Sequence, residues 1–285
     1  MSGKLYLVAT PIGNLADITL RALETLKSVE LVAAEDTRRT RQLLSHFQIT
    51  GKGVLACNAY ASESALSGLI ERLAHGESIA LVTDAGTPSV SDPGTELVRA
   101  AVAAGIDVVP IPGVSAVTTA VAASGLIEGA FCFLGFPPAK GSGRRALFER
   151  VVAAPEPSVL FEAPHRIQKT LEELAALAPE RSAVLCRELT KLHEELRRGT
   201  LAELASNSQA WRGEITLVVD RAPEKLAPTQ ADSLALEASI VEMLSAGESP
   251  RSVVDALLEG SGLARRELYR RVTAISQRTL SPLSE

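Results

Sequence analysis

Aromatic side chains are scarce, at 4% of 285 residues, with one Trp, three Tyr and six Phe. That excludes an aromatic-rich β sandwich. A hydrophobic fraction of 46% in such a chain favours helices packed on apolar strands. Cysteine is nearly absent: Cys57, Cys132 and Cys186 are odd in number, far apart, and each sits in an apolar run. This excludes a disulfide framework and reads as buried free thiols in a reducing compartment. There is no Cys-x-x-Cys and no His pair at ligand spacing, so no metal site is expected. No run approaches the roughly 20 apolar residues of a membrane span. Met1 to Leu5 opens without the apolar stretch of a signal peptide. The expectation is a soluble, cytoplasmic protein with no membrane partner.

Phosphate-binding loops are missing as well. Neither G-x-x-x-x-G-K-[ST] nor G-x-G-x-x-G occurs, which disfavours ATP, GTP and dinucleotides. The formal net charge of -5 argues against a general polyanion binder, because non-specific affinity for nucleic acid comes mainly from Lys and Arg. Local basic clusters are nevertheless present: Arg38-Arg39-Thr40-Arg41, Arg144-Arg145, Arg197-Arg198, and Arg265-Arg266 with Arg270-Arg271. Each alone reads as a solvated helix face. Four in one acidic chain point to at least one functional patch.

Short apolar runs alternate with helical spacing. Leu5 to Val8, Leu31 to Ala34, Ile79 to Val82 and Asp107 to Ile111 read as strands. Asp17 to Val29 and Ser64 to His75 carry apolar residues along one helix face. This alternation implies a mostly parallel sheet covered on both faces. Four more strands are expected at Phe131 to Phe136, Ser158 to Phe161, Ser182 to Leu189 and Gly213 to Val219, with a helix from His165 to Leu177. They suggest a second α/β lobe joined near Ser124-Gly125-Leu126. Arg221 to Thr229 reads as a linker, and the remainder as helices only. Ser249-Pro250 is a good helix start, Gly260-Ser-Gly262 a stop, and a basic helix follows, in the outline of a helix-turn-helix. The expected domains are residues 1–124, 125–222 and 223–285.

Three Pro/Gly loops follow strands. They are Thr10-Pro11-Ile12-Gly13-Asn14, Asp84-Ala85-Gly86-Thr87-Pro88 (with Ser91-Asp92-Pro93-Gly94 behind it), and Pro110-Ile111-Pro112-Gly113-Val114-Ser115-Ala116. Singly, each is an ordinary tight turn. Together they suit a binding site, because ligands of open α/β sheets lie at the carboxyl ends of strands and small residues let backbone approach a ligand. With no phosphate loop, the expected ligand is nucleoside-like.

These residues resemble a known family. The resemblance is carried by Val8 to Leu15 with Asp17-Ile18-Thr19, by Ala34-Glu35-Asp36-Thr37-Arg38, and by Asp84 to Pro88 with Asp92-Pro93-Gly94 and Pro112-Gly113. Gly135 to Lys140, Pro164-His165-Arg166, Arg187 to Lys191 and Gly213-Glu214 complete it. The family is the bacterial 16S rRNA cytidine 2′-O-methyltransferases of the tetrapyrrole-methylase superfamily, and the likeness runs from about Leu5 to Asp220, with a similar basic helical tail. It implies two α/β lobes with S-adenosylmethionine in the cleft between them and a small all-helical C-terminal domain. It also implies a homodimer, acting on 16S rRNA of the small ribosomal subunit at a cytidine ribose in the decoding centre. By resemblance the cofactor contacts fall on Pro11, Ile12, Asp84, Ala85, Gly86, Thr87, Val90, Ser115, Ala116, Glu162 and Leu189. Two stretches depart from the family's pattern. Ala61-Ser62-Glu63 stands where His-Asn-Glu is usual, and Phe161-Glu162-Ala163-Pro164-His165-Arg166 where Tyr-Glu-Ser-Pro-His-Arg is usual. Both remove hydrogen-bonding groups.

A ribose 2′-hydroxyl is a poor nucleophile that a base would assist, and Glu162, His165 and Asp36 are the candidates. Each has a structural reading beside the catalytic one: a cofactor contact, a helix cap and a turn anchor respectively. Arg38 and Lys140 follow strand ends and, with Arg265 and Arg266, are candidate RNA contacts. Rival readings are a methyltransferase for a tetrapyrrole or other small molecule, a non-catalytic ribosome assembly factor on the same fold, and a nicotinamide-dependent oxidoreductase. The missing dinucleotide fingerprint weakens the last.

Overall fold

The computed structural model describes residues 2–57, 63–91, 94–207, 210–223, 230–261 and 263–279. It divides into two compact units, Met1–Ala222 and Pro223–Glu285.

In the first unit, β1 (Lys4–Val8), β2 (Leu31–Ala34), β3 (Gly53–Ala56), β4 (Ile79–Val82) and β5 (Asp107–Ile111) form one sheet in the order β3-β2-β4-β1-β5. Every pairing in it is parallel. All four residues of β2 and of β4 are buried, as strands covered on both faces require. The two-residue period of the strands divides these side chains between two cores. Leu5, Leu31, Ala33, Ile79 and Leu81 pack with Leu69 and Leu73 of α3 (Glu63–Ala74) and Leu97 of α4 (Thr95–Ala103). Val8, Val32, Ala34, Ala80 and Val82 pack on the opposite face with Ala22 and Leu26 of α1 (Leu20–Ser28) and Leu44 of α2 (Thr37–His46).

The second sheet contains β6 (Cys132–Phe133), β7 (Ser158–Glu162), β8 (Ser182–Arg187), β9 (Glu195–Thr200) and β10 (Ile215–Val219), in the order β6-β7-β10-β8-β9. It is mixed: β10 runs antiparallel to both β7 and β8, and β9 antiparallel to β8, while β6 and β7 are parallel. One face packs on α6 (Ser142–Ala153), α7 (Ile167–Leu177) and α8 (Leu201–Ser206) through Phe148, Leu171, Leu174 and Leu201. The other receives Val117 and Ala120 of α5 (Ala116–Ser124), together with Ile12 and Leu189. Thus α5, although it follows the first sheet in the chain, packs on the second. It ends at Gly125, whose left-handed backbone (φ +73°) suits a residue without Cβ.

Several expectations are corrected. The Arg197-Arg198 pair lies in edge strand β9, not on a helix. Arg144 is only 4% exposed, so Arg144-Arg145 is not a solvated pair. The helix expected from His165 begins at Ile167, with Arg166 at its N-cap. Strands β3 and β9 are not among the expected ones; β9 is too charged to carry an apolar signal, and β3 is a run of only four residues. Cys57 and Cys186 are buried and free, whereas Cys132 is only half-buried.

Among its described residues the second unit has three helices, α9 (Gln230–Ser245), α10 (Pro250–Ser261) and α11 (Arg265–Thr279), around a core of Ile240, Val253, Val254, Leu268 and Val272. Ser249 accepts from Ser252 N at 3.2 Å, as a cap before Pro250 should. Gly262 and most of the expected linker lie outside the described residues. Among the described residues no helix is long and apolar enough to cross a membrane.

Candidate active site

The strand order explains why three separate loops meet. β4, β1 and β5 are neighbours, and β1 is where the order reverses: the chain leaves it on one side for β2 and β3, and returns to flank it with β4 and β5. In an open parallel sheet such a switch point opens a crevice at the carboxyl ends. The loops after these strands are the three read from the sequence. Thr10 and Gly86 exchange backbone hydrogen bonds of 2.9 and 3.0 Å, and Thr10 Oγ1 donates to the Thr83 carbonyl at 3.1 Å. A Cβ on Gly113 would stand 2.9 Å from the Cβ of Ala9, a separation side chains do not tolerate. Facing loops of the second sheet close the crevice. Asn14 N donates to Thr190 Oγ1 at 3.1 Å.

Ser89, Ser91, Glu188 and Thr190 all adopt left-handed backbone, with φ between +52° and +69°. Non-glycine residues in this region store strain and collect at functional sites. All four belong to loops around this crevice.

The result is a cavity of about 350 Å³. Of the sequence-derived candidates, Ile12, Asp84, Ala85, Ala116, Glu162 and Leu189 line it. Pro11 lines an adjoining cavity of about 420 Å³, which shares Ile12, Asp84 and Ala85. Gly86 is held in the bridge to Thr10, Thr87 accepts from Val90 N at 3.3 Å, and Ser115 is the N-cap of α5; none of these, nor Val90, forms the cavity wall. Sequence reasoning missed Glu35, Arg39, Phe136, Phe161 and Glu214 on that wall. The rings of Phe136 and Phe161 lie 5.4 Å apart and give it an aromatic side.

Two polar networks frame the cavity. In the first, Glu35 Oε2 accepts from Thr83 Oγ1 at 2.7 Å and from Asp84 N at 3.1 Å. Asp84 accepts from Asp36 N at 3.1 Å and faces Arg39 at 3.3 Å. The neighbouring strands β2 and β4 are thereby locked together at their ends. Burial, and then the nearby Glu35 carboxylate, push the Asp84 carboxyl above its usual range.

The second network centres on Glu162, whose side chain is fully buried. It accepts from Thr170 Oγ1 at 2.6 Å and from Ala163 N at 2.9 Å, and it meets Arg144 at 3.5 Å and Arg166 at 3.1 Å. Arg144 also bonds Glu173 at 2.6 Å and the Pro138 carbonyl at 3.2 Å, and its guanidinium stacks over Phe148. A carboxylate so completely engaged holds structure. It is badly placed to take a proton from a substrate.

The other candidate bases sit elsewhere. Asp36 is the N-cap of α2, accepting from Arg38 N at 2.8 Å. Its bonds to the Arg38 side chain and backbone bring the carboxyl down to about 2, too low for a useful base near neutrality. His165 is exposed in the turn between β7 and α7. Arg38 is 85% exposed and paired with Asp36. Lys140 is exposed before α6, and Arg265 and Arg266 are exposed on α11 of the second unit, where Arg265 pairs with Asp255. Ala61-Ser62 and Asp92-Pro93 lie outside the described residues.

Comparison with known proteins adds the following. The family model of the tetrapyrrole (corrin/porphyrin) methylases matches residues 4–205. The chain is 40% identical to the ribosomal RNA small subunit methyltransferase I of Halalkalibacterium halodurans, over 94% of this chain and 93% of that protein. It is 43% identical to the protein of the same name from Xylella fastidiosa, over 94% and 98%. Among solved structures, uroporphyrin-III C-methyltransferase from Thermus thermophilus in complex with S-adenosyl homocysteine matches with a TM-score of 0.55 at 18% identity, over 76% of this chain and 97% of that one. The chain belongs to the tetrapyrrole methylase family, among the proteins named ribosomal RNA small subunit methyltransferase I.

Proposed function

We propose that this protein transfers a methyl group from S-adenosylmethionine to the 2′-hydroxyl of a cytidine in 16S rRNA, at the decoding centre of the small ribosomal subunit. It works in the cytoplasm as a homodimer. The observation that carries the reading is the cavity at the carboxyl ends of β1, β4 and β5, in a chain whose relatives along almost its whole length bear rRNA methyltransferase names.

The wall suits the cofactor chemically. Of the carboxylates on the wall, Glu162 is matched by two arginines, Asp84 by Arg39 and Glu214 by Lys191, while Glu35 accepts from the neutral Thr83 Oγ1 and Asp84 N–H. Glu35 beside Asp84 is the acidic spot that suits a cationic sulfonium and ammonium. Ile12, Ala85, Ala116 and Leu189 supply apolar surface for an adenosine. Bound there, S-adenosylmethionine supplies an electrophilic methyl on positive sulfur. The protein's part is to hold the ribose oxygen in line with that methyl and to exclude water, and positioning of this kind can carry much of the acceleration. With Glu162 locked and Asp36 acidic, the reaction rests on this positioning more than on a strong base. Phe136 and Phe161 form an aromatic side on which an extruded base can stack. The ring at Phe161 keeps that surface without a tyrosine hydroxyl. Arg38, Lys140, Arg265 and Arg266 are assigned to RNA phosphates. Charge reversal at Arg38 and Lys140 together weakens RNA affinity under this assignment.

The decisive assay incubates the protein with methyl-labelled S-adenosylmethionine and small subunits lacking the modification, followed by mapping of the rRNA by mass spectrometry. Label on one cytidine ribose is the expected result. Label on small-molecule acceptors alone, or none despite cofactor binding, would overturn the reading.

Asp84 adds a pH signature. Its folded-state pKa is raised, so the stability gained from its protonated form is full below the ordinary carboxylate value of about 4 and is lost as pH rises through the raised value. A cationic ligand favours the ionised form. Cofactor affinity is therefore expected to fall as pH drops from neutrality through that raised value. Asp84→Asn flattens the profile in calorimetric titrations. An unchanged slope in the variant would remove Asp84 from the cofactor's charge environment.

A further inference from the structure

A third cavity, of about 340 Å³, lies outside the cleft between α6 and α7. Its floor is mostly apolar, with Phe148, Ala176 and Leu177, and its charged groups are Lys140, Arg144, Arg145 and Lys169 with one carboxylate, Glu173. In a chain with a net charge of -5 this is a local reversal of sign. The charge of Arg144 is already committed to Glu162 and Glu173. Lys140, Arg145 and Lys169 are not committed in that way. Lys140 is exposed, and the side chains of Arg145 and Lys169 are 81% and 68% exposed. Their ion pairs, Arg145 with Glu149 at 2.9 Å and Lys169 with Glu173 at 3.7 Å, are solvated pairs of little strength and are readily exchanged for a stronger anion.

The groove is also physically tied to the cleft. The segment from Gly135 to Gly141 passes from one to the other, with Phe136 on the wall of the cleft cavity and Lys140 and Gly141 on the wall of the groove. Arg144 and Arg166 hold its middle by the carbonyls of Pro137 and Pro138. Arg144 itself reaches Glu162 on the cleft side and Glu173 on the groove side. Whatever occupies the groove is therefore held in fixed register with whatever occupies the cleft.

We propose that this groove binds the phosphodiester backbone of the RNA strand flanking the target nucleotide, with Arg145 and Lys169 gripping phosphates beside Lys140. The proposal rests on the reading of the protein as an rRNA methyltransferase. Its chemistry is that of a cationic channel that tracks a strand without reading bases. Phosphate binding of this kind sets register, so that the strand enters the cleft with one particular ribose facing the cofactor.

The test compares the wild type, Arg145→Glu/Lys169→Glu, the neutral Arg145→Gln/Lys169→Gln, and Lys27→Glu/Arg99→Glu. The last is a control that makes the same change in net charge at exposed positions on α1 and α4. KM for unmodified small subunits, and its dependence on salt, are measured with methyl-labelled S-adenosylmethionine; cofactor affinity is measured by calorimetry. The expected result is a KM raised roughly tenfold or more in the Glu variant and less in the Gln variant, with cofactor affinity and the control unchanged. The slope of log affinity against log salt should shrink by about 0.7–0.9 for each phosphate left without its cation, or roughly 1.5 for two. A wild-type KM and salt slope in the Glu variant would overturn the groove alone. A wild-type protein that binds cofactor yet labels no RNA would overturn the underlying reading instead.

Discussion

Glu162→Gln is expected to lower the unfolding free energy by about 3–5 kcal/mol, the range found when one member of a buried ion cluster loses its partner. The carboxylate has no exposed surface, and it stands between two guanidinium groups, Arg144 at 3.5 Å and Arg166 at 3.1 Å. Gln keeps the shape and removes the charge, so Arg166 loses the carboxylate it faces and Arg144 is left with Glu173. Arg144 is 4% exposed and cannot turn to solvent to escape. Arg144→Met should cost less, because Glu162 would keep Arg166, Thr170 Oγ1 and the Ala163 N–H. The order of the two single variants is therefore part of the prediction. The double variant Arg144→Met/Glu162→Gln should cost less than the sum of the singles, since both act on one network. Urea unfolding at constant m-value measures all three. A Glu162→Gln cost below about 1 kcal/mol, the level of an ordinary surface change, would mean that the cluster is far more solvated than its geometry indicates.

The same cluster shows where sequence reasoning stops. Arg144 and Arg145 are indistinguishable as letters, and both read as members of a surface pair. Only the approach of β7 and α7, which bring Glu162, Thr170 and Glu173 around Arg144, sets its fate apart from that of its neighbour. β2, β4, β7, β8 and β10 were legible because strands buried on both faces must be apolar throughout. β3 and β9 were not. They are edge strands, and Glu195-Leu196-Arg197-Arg198-Gly199-Thr200 carries the charges that keep an edge from pairing with another chain. Those charges erase the apolar pattern in β9, whereas β3, Gly53-Val54-Leu55-Ala56, is apolar but short.

The cavity loops of the first sheet were legible for a related reason. Their backbones must turn tightly and approach one another, and Pro and Gly mark that need directly: Gly113 against Ala9, Gly86 against Thr10. Arg39 reaches the same cavity with no local mark, and Glu35 and Glu214, though they sit in segments that carry the family resemblance, have nothing local that aims them at it. They arrive because β2 lies next to β4, and because β10 enters the second sheet from the cleft end, two facts of topology that no short motif encodes.

Ala116→Trp is expected to reduce cofactor affinity by at least roughly a hundredfold while leaving the fold intact. Ala116 is the first residue of α5 and lines the cavity beside Ala85 and Leu189. A Trp side chain, which buries on the order of 150–250 Å² against its neighbours, would project an indole where a methyl now stands and obstruct a cavity of about 350 Å³. The helix itself should tolerate the change, because helix propensity differs by well under 1 kcal/mol between Ala and Trp. Ala122→Trp, on the exposed side of α5, is the matched control and should bind normally. Thermal unfolding separates the outcomes without any assay of RNA. Ligand at about a hundred times its Kd adds roughly 2.7 kcal/mol to the stability of a protein that binds it only when folded. The wild type and Ala122→Trp should show that rise with S-adenosylmethionine or S-adenosylhomocysteine. Ala116→Trp should unfold near the wild-type temperature without ligand and gain nothing when ligand is added. A full ligand-induced rise in Ala116→Trp would place the cofactor somewhere other than this cavity, and the assignment of Ile12, Asp84, Ala85 and Leu189 would fall with it.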